Sequence, residues 1–160
     1  MKMKMGEILM LGALCLFAAS GSVQAHCEIP CGIYDDDMRF DMIDEHIDTI
    51  EKSVKKIAEL SGTEGGAADA NQLMRWVGSK EKHADQIREI ITQYFMTQKL
   101  KTPDESDAGA FAAYTGQLVL MHKMLRTAMK CKQTVDLKNV EMLRKLAHDF
   151  KHAYGAAMKK

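Results

Sequence analysis

Between Asp36 and Tyr154, apolar residues recur at alternating steps of three and four, and they do so in four separate runs. A step averaging 3.6 residues returns a side chain to the same face of an α-helix, so each run draws one apolar stripe along one helix. The first run, from about 36 to 60, carries Ile43, Ile47, Ile50, Val54 and Ile57. It stops at Ser61-Gly62-Thr63-Glu64-Gly65-Gly66, because three glycines lose too much conformational freedom for a helix to continue. The second, from about 69 to 101, carries Leu73, Val77, Ala84, Ile87, Ile91 and Tyr94. Thr102-Pro103-Asp104-Glu105 then sets a capping hydroxyl, a proline at the first helical position and a glutamate three residues after the cap. That spacing predicts a third helix beginning there. Its stripe is Phe111, Tyr114, Leu118, Met121, Leu125 and Ala128, and after Gln133-Thr134 a fourth helix carries Val140, Leu143, Ala147, Phe150 and Tyr154. No alternating strand pattern or hairpin pair competes. Four stripes joined by short connections are buried by packing against one another, which predicts an all-α fold, an antiparallel up-down four-helix bundle over 36–155.

Bundles of this kind often hold metal or haem between their helices, so the patterns missing from the stripes carry information. No glutamate has a histidine three residues on, as a di-iron carboxylate site would want, and neither Cys-x-x-Cys-His nor His-Glu-x-x-His occurs. His148 and His152 share one helix face but lack a third ligand nearby in sequence, and read as a solvated face. His46, His83 and His122 read as isolated residues on polar or boundary positions. Met38, Met42, Met74, Met121, Met124 and Met142 lie on or beside stripes and are expected to fill core space, while Trp76 and Tyr114 are expected to pack between helices. Basic residues are scattered and not gathered with aromatics, so nucleic acid is not an expected partner.

The reactive side chains instead gather ahead of the first stripe. Residues 1–25 have the layout of a secretory leader: Lys2 and Lys4, an apolar run from Ile8 to Ala19, and Val23 and Ala25 at the positions a signal peptidase reads. The run is too short for a permanent membrane anchor, so no membrane association is expected after cleavage. The expected cut, between Ala25 and His26, leaves a single domain over 26–160, exported to periplasm or medium. It carries 20 basic and 21 acidic residues, after Lys2, Lys4 and Glu7 are taken from 22 of each. Its cysteines are Cys27, Cys31 and Cys131, an odd number that leaves at least one thiol outside any disulfide.

Cleavage there makes His26 the N-terminus and adds a free amine to its imidazole. The amine, the amide nitrogen of Cys27 and the thiolates of Cys27 and Cys31 form an N2S2 set, with Pro30 and Gly32 turning the chain between the sulfurs. Square-planar nitrogen and sulfur suit a d8 ion such as nickel(II), whereas zinc prefers a tetrahedral site. The residue types also allow a Cys27–Cys31 disulfide pinning the end of a structural bundle, or a chelator without turnover.

The stretch His26-Cys27-Glu28-Ile29-Pro30-Cys31-Gly32-Ile33-Tyr34 resembles the nickel hook of the nickel-containing superoxide dismutase family, His-Cys-x-x-Pro-Cys-Gly-x-Tyr at a processed N-terminus. The resemblance implies a four-helix-bundle enzyme, assembled as a homohexamer with one nickel ion per subunit. It disproportionates superoxide to dioxygen and hydrogen peroxide by Ni(II)/Ni(III) cycling. On the same likeness, His26 supplies amine and axial imidazole, Cys27 thiolate and amide, Cys31 the second thiolate, and Tyr34 lines substrate access. The segments Asn71–Asp85 and Gln93–Phe95 resemble the family's second helix and make Tyr94 a second gate. Four positions depart from the pattern. Glu28 replaces an aspartate and Asp36 a proline, while Asp41 and His83 fall where a glutamate and an arginine usually hold the axial histidine.

Overall fold

The computed structural model describes residues 36–62 and 65–158. They form α1 (Asp36–Ser61), α2 (Ala67–Glu89), a π-helical continuation of α2 (Ile90–Lys99), α3 (Ala108–Gln133) and α4 (Leu137–Met158). No strand occurs among the described residues, and all of them fall in one compact unit. Each helix packs on its sequence neighbour and α4 closes the ring against α1, giving the up-down bundle that the four stripes predict.

Cross-links fix the direction of each helix. Tyr94 and Tyr154, late in the second and fourth helical stretches, both reach Asp36 at the start of α1, and Gln117 near the start of α3 donates to the Ala153 carbonyl. At the far end, the buried Lys80 ammonium donates to the carbonyls of Lys132 and Thr134, where α3 stops. Arg144 of α4 bridges to Asp48 and Glu51 of α1 midway along.

The stripes of α1 and α4 are buried as expected, from Ile43 to Ile57 and from Val140 to Tyr154. In α2 the stripe holds only from Ala84 onward: Leu73 is half-buried and Val77 is exposed. The cause is length. Lys80 lies level with the end of α3, so residues 67–79 run past it, an overhang of about 20 Å at 1.5 Å per residue, and among the described helices α1 is the one beside them. Met74 is 75% exposed there, and Trp76 is half-buried with the Lys52 ammonium 5.9 Å from its ring, on the α1 side only.

The third helix departs furthest from its expected stripe. It begins at Ala108, capped by Asp107, whose carboxylate accepts from the Ala110 amide at 2.8 Å, and not at Thr102. Asp104 is spent on a turn, accepting from the amide and hydroxyl of Ser106. The buried face is Gln117, Met121, Met124, Thr127, Ala128 and Cys131, while Phe111 is 41% exposed and Tyr114, Leu118 and Leu125 are half-buried. Residues 108–121 carry no charge, so no charged residue marks which side faces outward. Core filling by methionine holds for Met121 and Met124, and for Met42 in part; Met38, Met74 and Met142 are exposed.

Where α1 begins, the core is aromatic. Phe40 stands 4.8 Å from Phe95, 5.6 Å from Phe150 and 5.8 Å from Tyr154, ring centre to ring centre. Beside it the π-helical segment shows five-residue spacing: the Leu100 amide donates to the Phe95 carbonyl at 2.8 Å, and the Thr97 hydroxyl to the Thr92 carbonyl at 2.7 Å. Tyr94 and Phe95 are carried on this widened turn, both buried.

Candidate functional site

His26, Cys27, Cys31 and Tyr34, with Glu28 between them, lie outside the described residues. The described chain starts at Asp36, two positions after Tyr34, so the structure shows the end of the bundle into which this stretch runs. The fifth expected site residue, Tyr94, sits there.

Asp36 organises that end. Its Oδ1 accepts from the Tyr94 hydroxyl at 2.5 Å and stands 3.0 Å from the Lys99 ammonium, and its Oδ2 accepts from the Tyr154 hydroxyl at 2.8 Å. Burial pushes the Asp36 carboxyl upward, but hydrogen bonds from Tyr94, Lys99 and Tyr154, with the Lys99 charge, outweigh it and hold the group below the usual carboxylate range. Burial pushes the Tyr154 phenol upward and its bond to ionised Asp36 adds to the effect, so it remains a protonated donor. The Arg39 guanidinium and the Lys99 ammonium lie 4.9 and 5.6 Å from the Tyr94 ring centre. Two phenols, one anionic acceptor and two cations are thereby gathered at one helix start. This arrangement can hold hydroxyl protons in fixed directions and keep a carboxylate ionised.

Sequence reasoning identified Tyr94, noted Asp36 only as a departure from the family pattern, and placed Tyr154 as core. Lys99 carried no signal. A tyrosine on a core stripe does signal a search for a hydroxyl partner, since a buried phenol without one is costly. Tyr154 satisfies its hydroxyl with Asp36.

His46 and His83 are not isolated. Their Nδ1 atoms stand 3.0 Å apart across α1 and α2, with ring centres at 5.0 Å. The register explains the meeting: Asp36 faces Tyr94, and ten residues down α1 and eleven back along α2 are nearly equal distances. Burial lowers both imidazole pKa values, helped at His46 by the neighbouring His83 and at His83 by Lys82. Asp41 faces elsewhere, 3.7 Å from Lys151 of α4. The two candidates for holding the axial histidine are therefore not a pair within the bundle.

The remaining side chains fall into simpler roles. His148 and His152 stack at 4.5 Å on the exposed side of α4, and no group of three or more potential ligands is assembled among the described residues. His122 is exposed. Cys131 is 1% exposed, and burial pushes its thiol up to about 11, the Lys80 charge offsetting only part of this. Among the described residues, no helix is long and apolar enough to cross a membrane.

Compared with known proteins, residues 21–158 match the family model described as nickel-containing superoxide dismutase. No curated protein and no solved structure gives a significant match. The matched residues include His26 to Tyr34 and all four helices. On that match the chain belongs to the nickel-containing superoxide dismutase family, oxidoreductases acting on superoxide.

Proposed function

We propose that this chain disproportionates superoxide at a nickel ion held by His26, Cys27 and Cys31, after cleavage between Ala25 and His26 has freed the terminal amine. The observation that carries the reading is the complete His-Cys-x-x-Pro-Cys-Gly-x-Tyr pattern inside a family match that runs through the whole bundle. The donor set fits the metal: two thiolates and a deprotonated amide are anionic, and together with the neutral amine they would give nickel electron-rich nitrogen and sulfur donors. Nickel bound there would supply one-electron cycling between its divalent and trivalent states, with the His26 imidazole available as a further donor. One hook per chain sets one nickel per subunit.

The chain's own residues do the rest. Net turnover converts two superoxide ions and two protons to dioxygen and hydrogen peroxide. Tyr34 lines the approach, and Tyr94 stands as a second gate, its hydroxyl directed at Asp36. Residues 1–25 act as the leader and 26–160 as one exported domain, read from Lys2, Lys4, the apolar run and Ala25. The homohexamer is what the family resemblance implies, and the uncharged stretch 108–121 on α3, with Phe111 and Val119 exposed, the latter at 45%, offers an apolar surface to another copy.

The test is a pulse-radiolysis superoxide assay on nickel-loaded chains that begin at His26, at Ala25, or at His26 with Cys27→Ser. The reading expects turnover from the first alone. A chain beginning at His26 that binds nickel without turnover would be a chelator, and an active chain beginning at Ala25 would remove the terminal amine from the ligand set.

A further inference from the structure

We propose that Asp36 is a positioning residue for Tyr94: it accepts from the Tyr94 hydroxyl and so fixes the direction of that phenol at the end of the bundle. This rests on the reading of Tyr94 as a gate.

The argument is a count of donors and acceptors. An ionised carboxylate only accepts, so the 2.5 Å contact with Tyr94 and the 2.8 Å contact with Tyr154 both place the phenolic proton on the line toward Asp36. Both oxygens are engaged, Oδ1 by Tyr94 and Lys99 and Oδ2 by Tyr154, so the carboxylate cannot swing from one phenol to the other without losing a charge-assisted bond. Lys99 at 3.0 Å keeps the acceptor anionic, consistent with the lowered pKa of Asp36. The frame holding the pair is rigid: Tyr154 is wedged in the Phe40–Phe95–Phe150 cluster, and Phe95 stands edge-on to Tyr94 at 5.1 Å. Three helical stretches, α1, the π-helical segment and α4, converge on one carboxylate, and the gate's hydroxyl direction is set by all three.

The consequence for the reaction is specific. A Tyr94 hydroxyl whose proton is directed at Asp36 does not donate that proton to a superoxide anion. Loss of the carboxylate removes the anionic acceptor that sets this direction.

The test uses the nickel-loaded chain beginning at His26, with Asp36→Asn, Tyr94→Phe and the double variant. Asp36→Pro is a second way to remove the carboxylate, since proline is tolerated at the first helical position. Circular dichroism and the nickel electron paramagnetic resonance spectrum, unchanged from wild type, report an intact bundle and hook. The tyrosine Raman doublet near 830 and 850 cm⁻¹, taken as wild type minus Tyr94→Phe, reads the hydroxyl directly and is expected to show a strong donor that disappears in Asp36→Asn. In turnover, Asp36→Asn and Asp36→Pro are expected to lower kcat/KM by about tenfold when Tyr94 is present and to change nothing in the Tyr94→Phe background. If Tyr94→Phe itself turns over like wild type, the gate reading fails. If Tyr94→Phe is impaired while Asp36→Asn is not, or if Asp36→Asn is as damaging without Tyr94 as with it, the positioning role is overturned and the gate reading stands.

Discussion

Lowering the pH from about 7.5 to about 5.5 should weaken the fold through His46 and His83. Burial lowers the pKa of both imidazoles, with the facing His83 adding to the effect at His46 and Lys82 at His83. Unfolded, each ring binds a proton near its ordinary value of 6.5; folded, each resists it. The unfolded state therefore holds more protons in this window, so stability is full above that value and is lost as the pH falls below it. The limit follows from the ordinary value of 6.5 alone: a ring that bound no proton at all in the fold would forfeit ~1.4 kcal/mol over this interval, and two would set a ceiling of ~2.7 kcal/mol. The 3.0 Å separation of the Nδ1 atoms lets one proton serve both rings, which brings the expected loss toward the single-histidine figure. The assay is urea unfolding at both pH values for wild type and His46→Leu, a replacement that suits a site only 8% exposed beside the α1 stripe. The variant should lose ~1 kcal/mol less than wild type across the interval, which cancels every other titrating group common to both chains. Equal pH sensitivity in the two proteins would refute the reasoning.

The Lys80 ammonium, 4% exposed, holds the last carbonyls of α3, so Lys80→Met should cost about 1–3 kcal/mol and speed amide exchange in the final turn of α3. Phe150→Ala opens a cavity where Phe40, Phe95 and Tyr154 meet, and should lower the unfolding free energy by about 3–5 kcal/mol in chemical denaturation. Cys131, buried with its thiol pushed up to about 11, should react with a disulfide reagent at mildly alkaline pH only at the rate of unfolding; fast labelling of the native bundle would contradict its burial.

How much of this was legible depended on contrast within each segment. In α1 and α4, charged residues alternate with the apolar ones, and Ile43 to Ile57 and Val140 to Tyr154 are the buried sets that spacing alone picks out. In α3 the stretch 108–121 has no charge to define an outer face, so the pattern fits several rotations, and the hydrogen bond from Gln117 to Ala153 helps select one that no local rule favours. The exposed half of α2 follows from where α3 ends, a property of the assembly and not of α2. The same holds for His46 and His83, which lie 37 positions apart in sequence and meet only through helix register. The π-helical shift at Ile90–Lys99 has no composition signature at all. The stretch His26–Tyr34 could be read for the opposite reason: the metal site proposed for it rests on residue types within nine positions, before any packing. Asp36 fell between these cases, visible as a departure but without meaning until Tyr94 and Tyr154 were seen to converge on it.

The measurement that tests the central claim most directly is the intact mass of the protein purified from its native host, with metal analysis of the same sample. The account predicts a chain beginning at His26 that carries about one nickel per subunit, every proposed donor then being in place. A chain that retains any residue before His26 has its terminal amine blocked, and nickel dismutation by this ligand set would be contradicted however completely the motif matches.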